Sequence, residues 1–169
     1  MRTRLSTLII SAMFTAIIFM SITLTRVPNG FGGFIHFGDS LIFIAATLLP
    51  FPYGLVAAGM GPGLFNLMQG PQWFPFTIVI KPLMALCFTN SGGTILGNMR
   101  NRIAPFVAGA INTVLYFCAN IILFDSAIAV SALPGLLIQG GGSIVFFFII
   151  ATALDRLQVK KRLGLTPAR

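Results

Sequence analysis

Apolar residues run along this chain in long unbroken blocks, with no alternation and no single-faced helical stripe. The breaks between blocks are glycine, proline and a few charges. Blocks of this kind predict helices that are apolar all round, as lipid-embedded helices are. Six are legible, at about residues 5–25, 40–50, 52–68, 74–95, 103–124 and 133–154. The first follows a short basic start and lacks a small-x-small cleavage site, so it reads as a span and not as a removable signal. The second is short, with Asp39 and Ser40 expected as its N-cap, and it needs part of the preceding loop to reach across. Gly61, Pro62 and Gly63 interrupt the third, and Pro75 and Pro82 fall inside the fourth. Pro82 removes the donor that would bond the carbonyl of Ile78. Such breaks are tolerated at membrane depth where the freed groups are buried or line a cavity. Residues 125–132 read as a loop, and Pro134 suits a helix start. The 169 residues form one membrane domain, with no internal repeat and no soluble module.

Composition fixes the class. Hydrophobic residues make up 56% of the chain and charged ones 8%, against roughly 25% charged in soluble domains. The chain is an all-α integral membrane protein. Its net charge of +8 would suggest nucleic acid in a soluble protein, but the placement of the charges excludes that partner. With six crossings, Arg2, Arg4, Arg100, Arg102, Arg156, Lys160, Lys161, Arg162 and Arg169 share one side, Arg26 lies opposite, and Lys81 lies within the membrane. Positive charge stays cytoplasmic, so both termini are expected inside. Cys87 and Cys118 fall at depths of roughly 20 and 9 Å at about 1.5 Å per residue, too far apart to pair, and are expected as reduced core residues.

Lys81 is the most informative side chain. An ammonium inside a bilayer is costly and survives where something there needs it. With three acids in the whole chain and no glutamate, it has few internal partners. It is therefore expected to face a cavity and meet a polar ligand; the alternative is snorkelling to headgroups. Asn112, Tyr116 and Asn120 recur every fourth residue on one face of the fifth helix. Lys81, Tyr116, Asn120 and Gln139 fall in one layer in the outer half, with Asn112 deeper; helix-to-helix hydrogen bonding is the alternative role. Trp73 and Phe34 are candidates to stack on a flat ligand, Trp73 being equally suited to an interfacial aromatic belt. Asp39 and His36 complete the candidate binding set, read alternatively as a helix cap and a loop bystander. Ala12 and Ala16, one turn apart beside Ser11 and Thr15, offer a small-residue face for another helix, within this protein or on a partner.

Catalytic and metal-binding patterns are absent from the sequence. There is no phosphate-binding G-x-x-x-x-G-K-[ST] loop, no H-E-x-x-H and no Cys/His cluster, and His36 is the only histidine. Catalytic residues, bound metal and bound cofactor are none. The half of each span nearer the basic loops is mostly Phe, Ile, Leu and Ala, which argues against a through-channel. A pocket open to one side without an engine suggests a capture subunit.

Residues 35–46 (IHFGDSLIFIAA), 52–59 (PYGLVAAG) and 73–81 (WFPFTIVIK), with Ala12-x-x-x-Ala16, give the chain a resemblance. It resembles, over essentially its whole length, the substrate-binding S components of energy-coupling factor (ECF) vitamin importers, in the branch handling riboflavin, pyridoxine and hydroxymethylpyrimidine. The resemblance implies a six-transmembrane-helix S-component bundle in the prokaryotic cytoplasmic membrane, its cavity open outward under a lid between helices 1 and 2. It implies a transmembrane T subunit and two ABC-type ATPase subunits as partners, which use the ATP. It makes Lys81 a substrate ligand and Ala12 and Ala16 the contact with the T subunit. Pyridoxine or hydroxymethylpyrimidine is the expected substrate, riboflavin the next. The other classes open to the sequence are a free-standing secondary transporter or channel, and a structural membrane subunit with no ligand.

Overall fold

The computed structural model describes residues 4–31 and 33–162. Arg2, Arg169 and Gly32 lie outside them. The chain forms α1 (Arg4–Thr25), a two-stranded hairpin of β1 (Val27–Pro28) and β2 (Phe34–Ile35), then α2 (Gly38–Leu48) and α3 (Tyr53–Gln69). A single 3₁₀ turn at Pro71–Trp73 leads into α4 (Phe74–Leu86), followed by α5 (Met99–Leu123), α6 (Ser126–Arg156) and the short α7 (Val159–Arg162). Among the described residues, three helices are by length and composition apolar enough to cross a membrane: α1 from Leu5, α5 and α6. Large apolar side chains such as Leu8, Met20, Phe106, Val114, Ile122 and Ile149 cover their outer surfaces. Apolar area exposed over three long helices in this way suits a surface covered by lipid.

The short helix α2 sits at the centre. It packs against α1, α3, α4 and α6, and ten of its eleven residues are buried. Its all-round apolar character therefore reflects burial in protein, not contact with lipid. At about 1.5 Å per residue it is roughly 16 Å long, about half a hydrocarbon core. Below its first turn, Phe43 stacks on Phe88 (4.8 Å between centroids) and meets Phe147 edge-on (6.0 Å), closing the middle of the bundle with apolar rings. Glycine permits the closest helix approaches. A β-carbon on Gly61 would stand 2.8 Å from Ile18 of α1, and one on Gly59 would stand 3.1 Å from Pro82 of α4. The Gly61-Pro62-Gly63 sequence thus packs α3 against its neighbours without ending it.

Several boundaries differ from those read in the sequence. α4 stops at Leu86 instead of running to 95. Residues 89–98 form a loop whose backbone is bonded by side chains, so its apolar Ile95 and Leu96 imitate a helix end. Asn101 donates to the carbonyls of Thr89 and Ile95 and accepts from the Thr89 amide, while the Asp155 carboxylate accepts from the amides of Ile95 (2.6 Å) and Leu96 (2.8 Å). Arg100 and Arg102 donate to the carbonyls of Leu86, Cys87 and Leu96, and Lys160 to that of Asn90. α6 begins at Ser126, not 133, because the Asp125 carboxylate caps it by accepting from the Ile128 amide at 2.7 Å. Pro134 then lies inside that helix. Asp39 does not cap α2; Phe37 occupies that position with no side-chain bond, and the carboxylate points elsewhere. Both cysteines are free, but Cys118 lies on the exposed surface, not in the core.

Candidate ligand-binding site

The hairpin covers one end of the bundle, where the first turns of α2, α4 and α6 meet the last turns of α1, α3 and α5. Between them lies a cavity of about 680 Å³, in the ordinary range for small-molecule sites. Its lining includes all nine residues singled out as ligand candidates from the sequence.

Lys81 and Asp39 form the floor, 5% and 1% exposed. Lys81 Nζ lies 2.7 Å from Asp39 Oδ1, the one salt bridge among the described residues, and also donates to Asn112 Oδ1 at 2.9 Å. The expectation that Lys81 has few internal partners is corrected. The acid in the first turn of α2 lies deep enough to meet it, because the hairpin and not the helix end occupies the mouth. A buried ammonium is tolerable when paired and hydrogen-bonded. Two of its three donors are engaged, and its charge lies 5.1 Å from the centroid of the Tyr116 ring. The other Asp39 oxygen accepts from Gln139 Nε2 at 3.2 Å. Gln139 in turn accepts from the His36 backbone amide (2.9 Å) and donates to the His36 carbonyl (3.1 Å), tying the end of the hairpin to α6.

One wall is aromatic. Trp73 packs at 6.0 Å from Tyr116 and 5.9 Å from Phe124 between ring centroids, which puts it on the cavity wall. Tyr116 hydroxyl and Thr77 Oγ1 share a 2.7 Å hydrogen bond, and Asn66 donates to the same Thr77 oxygen at 2.5 Å. Asn120 spends one amide hydrogen on the Tyr116 carbonyl (2.8 Å). Phe34 stands at the rim on β2, half exposed, with the Arg26 guanidinium 5.5 Å from its ring. The mouth is shaped by the hairpin turn, where Asn29 accepts from the amides of Phe31 and Gly33 and Gly30 takes a positive φ of 77°. Gly135 of α6 lets the turn settle: a β-carbon there would collide with the Asn29 amide.

Sequence reasoning missed Thr77 and Asn66, single polar residues on α4 and α3 that no spacing connects. It also passed over Arg26, although its isolation from every other cation marked it. The candidate docking group divides. Ala12 and Ala16 lie on the exposed face of α1. Ser11, however, is buried and donates to the Tyr53 carbonyl at 3.0 Å, so it joins α1 to α3 within this chain. Thr15 donates to the Ser11 carbonyl in its own helix. Chemically, the arrangement offers a net-neutral polar floor, an aromatic wall and amide-lined sides, which suits a flat, polar, uncharged ring.

The profile of the family described as ECF-type riboflavin transporter, S component, matches residues 2–156. An uncharacterized protein in the gap 3' region of Pyrococcus woesei is 30% identical over 128 residues, covering 70% of this chain and 86% of that protein.

Proposed function

The chain belongs to the family of ECF-type riboflavin transporter S components, and on that premise we propose that its ligand is a flavin, with riboflavin ahead of the single-ring vitamins. As a member of that family it is the membrane-embedded, substrate-binding subunit of an ECF importer and not an enzyme. The observation that carries the flavin reading is the cavity itself. About 680 Å³ bounded by Trp73, Tyr116, Phe65 and Phe34 is spacious for one pyridine or pyrimidine ring. Three fused rings with a polyhydroxylated tail would fill it, and the amide side chains of Asn29, Asn66, Gln69 and Gln72, which line the same cavity, are suitable partners for hydroxyl groups. The fused ring would rest on the Lys81–Asp39 floor, taking the remaining ammonium hydrogen on a ring oxygen, with Trp73 and Tyr116 alongside. A charge-assisted bond of that kind contributes about 1.5–3 kcal/mol.

Partner roles follow from the same reading. All six major helices cross the membrane, the shorter α2, α3 and α4 doing so together with the hairpin and the 89–98 loop. Both termini face the cytoplasm and the cavity faces outward. Ala12 and Ala16 contact a transmembrane T subunit, and two ATPase subunits supply the energy. A free-standing channel is disfavoured by the rings of Phe43, Phe88 and Phe147, which seal the bundle beneath the floor.

The test is a binding panel on the purified chain: riboflavin, pyridoxine and hydroxymethylpyrimidine, read by thermal shift and by quenching of ligand or Trp73 fluorescence. Riboflavin should bind most tightly and raise the unfolding temperature by mass action. Tighter binding of pyridoxine would return the reading to a single-ring ligand, and no stabilisation by any of the three would remove it.

A further inference from the structure

A second cavity opens at the end of the bundle opposite the ligand site. It holds about 230 Å³ between the α2–α3 turn, the end of α4 and the first turn of α5. Its walls are apolar, with Phe51 and Leu55 on one side and Leu86 and Phe88 on the other. Phe51 and Leu86 are exposed, as are Met99 and Ile103 on the first turns of α5. The crevice therefore opens onto the apolar outer surface where that surface meets the 89–98 loop. Its polar rim is cationic, formed by Arg100 with Thr89 and Asn90. Carbonyls at the end of α4 fix the guanidinium: Nε donates to Cys87 at 2.8 Å and Nη2 to Leu86 at 2.5 Å. Those bonds use two of five N–H donors and leave the Nη1 edge to another acceptor. The carbonyl end of a helix offsets only part of a full charge. Of the chain's three acids only Asp155 lies at this end, and it accepts from the amides of Ile95 and Leu96. Lys160 adds a second cation beside the rim through its 2.9 Å bond to the Asn90 carbonyl.

We propose that this crevice binds an anionic phospholipid, with the lipid phosphate on Arg100 and one acyl chain along Phe51, Leu55 and Leu86. Both halves of the site are needed by such a ligand and by no simpler one. A free phosphate leaves the apolar walls unused, and a zwitterionic lipid brings an ammonium that finds no carboxylate at the rim. The guanidinium fork suits a phosphate, and basic pockets between membrane helices are suited to anionic headgroups. The crevice takes only the phosphate end and the upper part of one chain; the remainder lies on the exposed apolar surface beside it. A lipid held there braces the α2–α3 turn against the corner between α4 and α5. The site stands apart from the flavin cavity and does not depend on which vitamin that cavity holds.

The experiment measures the dissociation constant of the first lipid bound to the purified full chain, by native mass spectrometry from detergent. Phosphatidylglycerol and phosphatidylcholine with identical acyl chains are compared, and thermal unfolding is followed with each lipid and with inorganic phosphate. Wild type should bind phosphatidylglycerol about tenfold more tightly, the size of one charge-assisted contact, and unfold at a higher temperature with it. Arg100→Gln should bring the two lipids close to equal. Lys161→Gln removes an exposed charge at the same end that does not line the crevice, and should keep the preference. Leu55→Trp crowds the crevice with every charge in place and should weaken both lipids. Equal affinities in wild type, or a preference that survives Arg100→Gln, overturn the site. So does a loss as large in Lys161→Gln as in Arg100→Gln, which assigns the preference to the charge of the whole end. Should Arg100→Gln fail to fold, Leu55→Trp decides, and unaltered lipid affinity there overturns the site. Stabilisation by inorganic phosphate equal to that by phosphatidylglycerol overturns the lipid in favour of a free anion.

Discussion

Breaking the pair at the cavity floor separates what Lys81 does for the fold from what it does for the ligand. Lys81 and Asp39 are 5% and 1% exposed and 2.7 Å apart, so removing either leaves the other charge buried without its partner. Losing one partner of a buried pair costs about 3–5 kcal/mol, whereas replacing both by neutral groups of similar shape is often close to neutral. For a chain of this size each kcal/mol lowers the unfolding temperature by about 2–4 °C, so Lys81→Met alone and Asp39→Asn alone should each lower it by roughly 6–20 °C. The double variant Lys81→Met/Asp39→Asn should recover most of that loss, because no unpaired charge remains. The assay is thermal unfolding of the three variants and wild type in one detergent, without ligand and then with saturating riboflavin. A double variant as unstable as the sum of the singles would refute the pair as the structure has it. Ligand binding then gives the second answer. If the free ammonium hydrogen meets the flavin ring, the refolded double variant still binds at least about tenfold more weakly than wild type. If its affinity returns with its stability, Lys81 acts on the ligand only through Asp39.

Other positions give independent checks. Leucine at both Ala12 and Ala16, which lie on the exposed face of α1, should abolish uptake by the assembled importer while thermal stability and flavin affinity of the isolated chain stay unchanged; loss of affinity would place those residues in internal packing. Asn101→Leu removes three bonds to the 89–98 loop, and each buried backbone group left unsatisfied costs about 1–3 kcal/mol. Its unfolding temperature should fall steeply in thermal scans, with the flavin affinity of the folded fraction retained, since the loop lies at the end opposite the cavity.

Some of this architecture was legible from single residues and some was not. Lys81 was conspicuous because lipid penalises a bare ammonium, and Asn112, Tyr116 and Asn120 declared a face by their spacing. Together with Gln139, those signals gathered one polar layer of the cavity lining from three helices. The Lys81–Asp39 contact was hidden because depth was counted from helix ends, as if every helix began at the membrane surface. α2 begins deeper, under a hairpin that two-residue strands make nearly invisible in a sequence rich in glycine and phenylalanine. The end of α4 was hidden for a related reason. Ile95 and Leu96 are apolar enough to imitate a helix end, yet the amides and carbonyls of Thr89, Ile95 and Leu96 are met by Asn101, 6 and 12 residues further along the chain, and by Asp155, 59 and 60 residues further along. In both places the deciding partner is distant in sequence, and local periodicity carries no information about it.

The same distant pairings explain how a site can be built in a chain with so few charges. Two of the three acids are placed where one carboxylate does several jobs. Asp39 neutralises Lys81 with one oxygen and accepts from Gln139 with the other, so the floor charge and the hairpin anchor are set by one side chain. Asp155 accepts two consecutive amides and thereby closes a loop that α4 leaves open. In lipid no water is available to satisfy what these groups would leave unmet. None of the three acids is left for Arg26, whose neighbours are Phe34, Phe65 and Gln69, so a paired, neutral floor lies beneath a positively charged rim.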